Sequence, residues 1–112
     1  MDLENWISQL RKGTLEFAIM LLLEESPKYG LELIQTLEEI PGLVTKEGTV
    51  YPLLNRLKND GLLEAEWVES PEGPPRKYYR LTRKGRQQLA EMRRYWHTLA
   101  RSLDALVEGV RV

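Results

Sequence analysis

Two short stretches of this chain carry side chains suited to contact with a nucleic acid. Lys46, Thr49, Tyr51 and Asn55 lie within KEGTVYPLLNRLKNDG, residues 46–61. An asparagine amide can make paired hydrogen bonds to adenine, and a threonine methyl can touch the methyl of thymine. A tyrosine hydroxyl can donate to phosphate or its ring can pack on a base edge, and lysine supplies a point charge. Arg76 and Lys77 follow the turn-forming run ESPEGPP, residues 69–75. At the tip of a loop, such cations suit phosphates or the negative potential of a narrow minor groove. Each group also has an ordinary reading: a polar helix face is commonly a solvated face, and cations at a strand end commonly contact only water.

The flanking residues predict how these groups are positioned. Val50, Leu53, Leu54 and Leu57 recur at i, i+3, i+4 and i+7, the apolar face of a helix that leaves Thr49, Tyr51 and Asn55 outside. Asp60-Gly61 ends that helix, and Pro52 requires it to begin close before. Leu62 to Val68 reads as a strand, residues 69–75 as an exposed loop, and Arg76 to Leu81 as the returning strand. Trp67 alternates with Leu63 and Ala65 and is expected in the core, while Tyr78 and Tyr79 point to opposite faces, one of them inward. Helix, hairpin and basic strand arrive in the order of a winged helix-turn-helix.

Upstream, Trp6, Ile7 and Leu10 form one stripe of a first helix, which Gly13-Thr14 is expected to break. Thr14 then caps a second helix from Leu15 to Glu25, ended by Pro27, and a third runs from Leu31 to Glu39 before Pro41-Gly42. Downstream, Thr82 caps a helix reaching about Val107, roughly 39 Å at 1.5 Å per residue. Its apolar residues are Leu89, Met92, Trp96, Leu99, Leu103, Leu106 and Val110, in alternating steps of three and four. A small domain cannot cover so long a seam, so self-association through it is expected, with the Trp6, Ile7 and Leu10 stripe packed alongside. The alternative is that the helix folds back on its own core.

The run from Gly48 to Leu57 (GTVYPLLNRL), Asp60-Gly61-Leu62, Trp67, the segment from Gly73 to Thr82 (GPPRKYYRLT) and Gly85 together resemble the PadR family of bacterial transcriptional regulators. Pro27 to Leu33 (PKYGLEL) resembles the first helix-turn segment of the same family. The likeness spans about Thr14 to Trp96 and implies an α+β, mostly helical fold: a winged helix-turn-helix with a two-stranded β-hairpin wing over residues 1–81, and a long C-terminal dimerisation helix over residues 82–112. It implies a homodimer that binds a pseudo-palindromic operator in double-stranded DNA and represses transcription. The residues around Gly48-Thr49-Val50-Tyr51 would enter the major groove. In the subfamily with a single C-terminal helix, a tryptophan at the position of Trp96 lines a pore between subunits that accepts flat hydrophobic molecules. The resemblance thus makes a small aromatic effector a candidate partner, against the plainer reading of Trp96 as dimer core. Glu69 and Glu72 lie in the wing and oppose phosphate, which weakens the carry-over there.

Composition narrows the remaining options. The chain has 112 residues, one domain's length, with no cysteine for a disulfide or thiolate metal site. His97 is the only histidine, and no nucleophile motif or phosphate-cradling glycine loop is present, so nothing points to an enzyme or a cofactor. The apolar run from Phe17 to Leu23 is too short to span a bilayer, and a cytoplasmic protein is expected. A formal net charge of −1 is unusual for a nucleic-acid partner. Its distribution is not, since Arg76, Lys77, Arg80, Arg83, Lys84, Arg86, Arg93 and Arg94 face a single acid, Glu91, between positions 76 and 94. The near-neutral charge and acidic wing leave open a winged-helix module that binds protein instead of DNA.

Overall fold

The computed structural model describes residues 2–110, in which α1 (Leu3–Glu25), β1 (Lys28–Tyr29), α2 (Gly30–Glu38), α3 (Glu47–Asn59), β2 (Leu63–Ser70), β3 (Gly73–Leu81) and α4 (Arg83–Val107) follow one another. The Asp2 carboxylate starts α1 by accepting the Asn5 N–H at 2.7 Å. The expected break at Gly13-Thr14 does not occur, and one helix runs through both residues. The Thr14 hydroxyl is no cap; it donates back to the Leu10 carbonyl at 3.0 Å. A single interior glycine costs a helix only about 1 kcal/mol. The burial of Leu15, Ile19, Met20 and Leu23 in the next turns outweighs it.

The apolar quartet of α3 faces inward as its spacing predicts, with Val50, Leu54 and Leu57 buried and Leu53 partly so. They meet Leu15, Ile19 and Leu23 of α1 and Leu33 and Leu37 of α2 in one core, closed on the far side by Leu63, Tyr79, Leu81 and Leu89. The helix begins at Glu47, close enough before Pro52 that the missing N–H costs it one bond on an exposed side. It stops at Asp60-Gly61. Gly61 adopts φ +78°, its N–H bonds to the Lys58 carbonyl and the Leu62 N–H to the Leu57 carbonyl, both at 3.0 Å. This is a Schellman ending, and it needs glycine at the left-handed position.

The hairpin is joined by a strand that periodicity does not show. β1 comprises only Lys28 and Tyr29, too short for any alternation, and pairs with Tyr79 and Tyr78 to give an antiparallel sheet ordered β1-β3-β2. β2 and β3 pair from Leu63↔Leu81 to Val68↔Arg76, then shift to Ser70↔Gly73. The wing loop therefore shrinks from residues 69–75 to a turn at Pro71-Glu72. Pro74 and Pro75 are adjacent and so turn their ring nitrogens to opposite edges of β3: one faces the edge that β1 leaves without a partner, the other faces β2 where the register shifts between Val68 and Ser70.

The start of α4 is locked to the end of α3. Thr82 accepts the Gly85 N–H at 3.0 Å and donates its hydroxyl to the Gly61 carbonyl at 2.6 Å, while its own N–H reaches the Leu62 carbonyl at 3.0 Å. Lys84 Nζ donates to the Asp60 carbonyl at 2.8 Å. Gly85 is buried so close to the Leu62 carbonyl oxygen that a Cβ would stand 2.1 Å from it. From this joint α4 extends about 37 Å. The described residues measure 54 × 31 × 22 Å with a radius of gyration of 16.0 Å, against about 13 Å for a compact chain of this length.

Two residues assigned from sequence to the dimer seam are occupied within the chain. Leu89 has 0 % exposure and Met92 packs on the same core. The open part of the seam starts at Trp96 and continues through Leu99, Leu103, Leu106 and Val110. Trp6, Ile7 and Leu10, in the first half of α1, are exposed as well.

Candidate nucleic-acid interface

α3 presents its polar residues in two directions. Tyr51 and Asn55 are one turn apart and line a hollow of about 520 Å³ together with Trp67, Arg76 and Lys77 of the wing and Tyr29, Gly30 and Leu31 at the start of α2. Thr49 lies two positions from Tyr51, roughly 160° around the helix. It lines a separate hollow with Lys12, Glu16 and Arg56 on the α1 side. Lys46 is the capping residue, exposed on that same flank. The fold thus brings Tyr51, Asn55, Arg76 and Lys77 together and leaves Lys46 and Thr49 on the opposite shoulder, with Gly48 and Pro52 exposed between them.

Aromatic rings hold the wing cations. The Arg76 guanidinium lies 4.5 Å over the Tyr29 ring, which meets Tyr78 edge-on at 5.4 Å. Lys77 Nζ stands 5.8 Å from the Tyr79 ring and 5.9 Å from Trp67. Such contacts restrain a flexible cation while leaving its charge available to an anion. Tyr79 is buried, and that burial pushes its phenol above its ordinary value, with Tyr51 adding to the effect.

Trp67 corrects the expectation that it is core: it is 66 % exposed. The inward side of β2 reads Leu63 buried, Ala65 half-buried and Trp67 open, because the strand outruns the helices beneath it. Sequence alternation identifies the face but not where the core ends. The length of the paired strands, with a lysine opposite the tryptophan, is the signal that could have located it.

The basic run is less available than its composition implies. Arg80 bonds Glu64 at 2.8 Å and Glu66 at 3.4 Å, and the Glu64 hydrogen bond raises its pKa further. Arg93 bonds Glu24 at 2.5 and 3.2 Å. That hydrogen bond holds the Glu24 carboxyl below its usual range. Arg56, on α3 itself, pairs with Glu16 of α1. Arg76 and Lys77 make no ion pair among the described residues, so the field at the wing rests on them, opposed by exposed Glu69 and Glu72.

A second candidate site surrounds Trp96. Its ring meets Phe17 of α1 at 5.9 Å and 48°. On either side lie open apolar hollows of about 640 and 700 Å³, the first reaching Ile7 and Leu43, the second Tyr95 and Leu99. Trp96 is 38 % exposed, so one part of its ring packs and the other faces these hollows. Among the described residues no group of acidic, histidine or cysteine side chains could hold a metal, and no helix is long and apolar enough to cross a membrane.

Known proteins carry the same architecture. A PadR-like transcription factor from Bacteroides fragilis, solved by X-ray crystallography, superposes with a TM-score of 0.75 at 53% identity, covering 91% of this chain and 98% of its own. An uncharacterized protein of Lysinibacillus sphaericus is 30% identical over 105 residues, 92% of this chain and 96% of its own. Bacillus subtilis PadR, solved in complex with operator DNA, aligns with a TM-score of 0.65 at 26% identity, covering 70% of this chain and 46% of its own. Residues 19–91, from the core half of α1 to the middle of α4, match the transcriptional regulator PadR-like family. The chain belongs to that family.

Proposed function

We propose that this protein is a homodimeric, sequence-specific DNA-binding repressor whose hold on its operator is loosened by a flat hydrophobic or aromatic molecule bound beside Trp96. The observation that carries the reading is the convergence of Tyr51 and Asn55 of α3 with Arg76 and Lys77 of the wing on one hollow. Base-edge donors on a helix, flanked by free cations on a hairpin, divide the work as such interfaces do: the helix specifies and the cations position. Trp67 joins them as a ring for the sugar-phosphate backbone, and Lys46 and Thr49 contact the strand on the other shoulder. The operator complex of the Bacillus subtilis relative supports the same use of the fold.

The dimer is formed by the exposed stripe of α4, from Trp96 to Leu106, with Trp6, Ile7 and Leu10 of α1 covering it. Two reading helices then address major grooves about one helical turn apart on a pseudo-palindromic site. The apolar hollows at Trp96 adjoin this stripe, so a planar ligand stacked there bears on both subunits. It shifts the spacing of the reading helices only if it binds one spacing more tightly than the other.

Fluorescence anisotropy tests the reading, using a labelled duplex from upstream of the protein's own coding region beside a scrambled duplex, each at two salt concentrations. Preference for the upstream duplex, with affinity falling steeply as salt rises, is the expected result. Equal, salt-insensitive behaviour toward both would favour a protein-binding winged helix, for which exposed Glu69 and Glu72 would be the docking charges.

A further inference from the structure

Tyr51 can lie where it does only because the residue beneath it has no side chain. Gly30, buried as the first residue of α2, faces the Tyr51 ring so closely that a Cβ would stand 2.4 Å from Cε1 and 2.8 Å from both Cζ and the hydroxyl oxygen. Backbone conformation does not demand glycine here: the left-handed glycines among the described residues are Gly42, Gly61 and Gly109, not Gly30. Alanine would be the better residue in a helix. What the position requires is room for a ring.

We infer that Gly30 is a positioning residue for DNA recognition, a seat that fixes the height and tilt of the Tyr51 ring above the groove-facing surface. The inference rests on the reading of Tyr51 as a DNA contact. Tyr79 of β3, itself buried, lines the same hollow as the ring. α2 cannot retreat, because Leu33, Ile34 and Leu37 anchor it in the core. A methyl at position 30 must therefore move the ring outward. The atoms it meets are the far end of a rotatable side chain, so the ring can swing away without unfolding the chain. Gly85 is the contrasting case, where the opposing atom is a backbone carbonyl. The neighbouring Tyr29 supports Arg76, so one dipeptide at the start of α2 supports both the helix contact and the wing contact.

The test is a double-mutant cycle of wild type, Gly30→Ala, Tyr51→Ala and the double variant. The probe is a duplex selected by the wild-type protein from a randomised pool, with anisotropy for affinity and circular dichroism for helicity and thermal midpoint. Gly30→Ala is expected to weaken binding about tenfold with Tyr51 present, and less than about twofold in the Tyr51→Ala background, as contacting residues couple. Its thermal midpoint should equal or exceed that of wild type. Equal weakening in both backgrounds, or unchanged affinity with Tyr51 present, would overturn the seat while leaving Tyr51 as a contact. Unchanged affinity in Tyr51→Ala alone, or selection of no sequence at all, would overturn the DNA reading of Tyr51 and the seat with it.

Discussion

The two halves of α4 share one apolar spacing and have opposite surroundings. In the first half Gly85 touches backbone and Leu89 fills the core; in the second, Leu103 and Leu106 are open, the latter 59 % exposed. α1 mirrors this, with Trp6, Ile7 and Leu10 exposed and Leu15, Ile19 and Leu23 buried. A heptad pattern thus records that a surface is apolar, not what covers it. Within one stripe, packing on the chain's own core thins past Met92: Trp96 still sets part of its ring against Phe17, and Leu103 and Leu106 beyond it are open.

A pair of truncations separates the two halves of α4 most strongly. Leu89→Ala should cost about 2–5 kcal/mol of stability, the range for an emptied core leucine. That loss should be the same at every protein concentration. If the proposed homodimer forms through this stripe, Leu103→Ala should lower the urea midpoint only at concentrations where the two chains associate. Equal cost for both variants at high dilution would mean that the second half of α4 packs on its own chain.

Next in size is the joint. Gly85→Ala forces a Cβ against the Leu62 carbonyl, and overpacking of this kind costs about 1–3 kcal/mol. Denaturant melts should show the loss, and DNA affinity should fall with it because the neighbouring α3 ending is displaced. Trp67→Ala is smaller: losing its share of the Lys77 contact should weaken duplex binding by about 0.5–1 kcal/mol without changing stability. Unchanged affinity would remove Trp67 from the interface.

The smallest effect separates the halves by pH. Glu24, bonded to Arg93 where α1 meets α4, has a folded pKa below its ordinary 4.5. Its stabilisation is present above that value and is lost as pH falls through the lowered one. Glu24→Gln should therefore flatten acid destabilisation in this window and leave stability near pH 7 little changed, since the pair is exposed. A variant that melts with the wild-type pH profile would show that the pair contributes nothing.

Much of this was legible in the residues. The α3 quartet, the Asp60-Gly61 ending and the Thr82 cap are local signals, complete within a few positions, and the structure bears them out. What escaped depends on distant partners. β1 exists because β3 passes beside Lys28 and Tyr29, and Thr14 is helical because the following turns are buried. Trp67 is open because the helices stop short of it. At the candidate site, Tyr51, Asn55, Arg76 and Lys77 were recognisable by type. The divergence of Thr49 from Tyr51 follows from their two-residue spacing on a helix and was readable as well. The seat at Gly30 needed the packing of α2 against α3.

The joint of Gly61, Thr82 and Gly85 has a mechanical consequence. A Schellman ending, a capping threonine and a glycine pressed on a carbonyl leave no slack between α3 and α4, so the pair turns as a crank on a shaft. A long, thin shaft trades distance for angle. Through this joint, a displacement at the far end of α4 that is small on the scale of its length would change the pitch of α3.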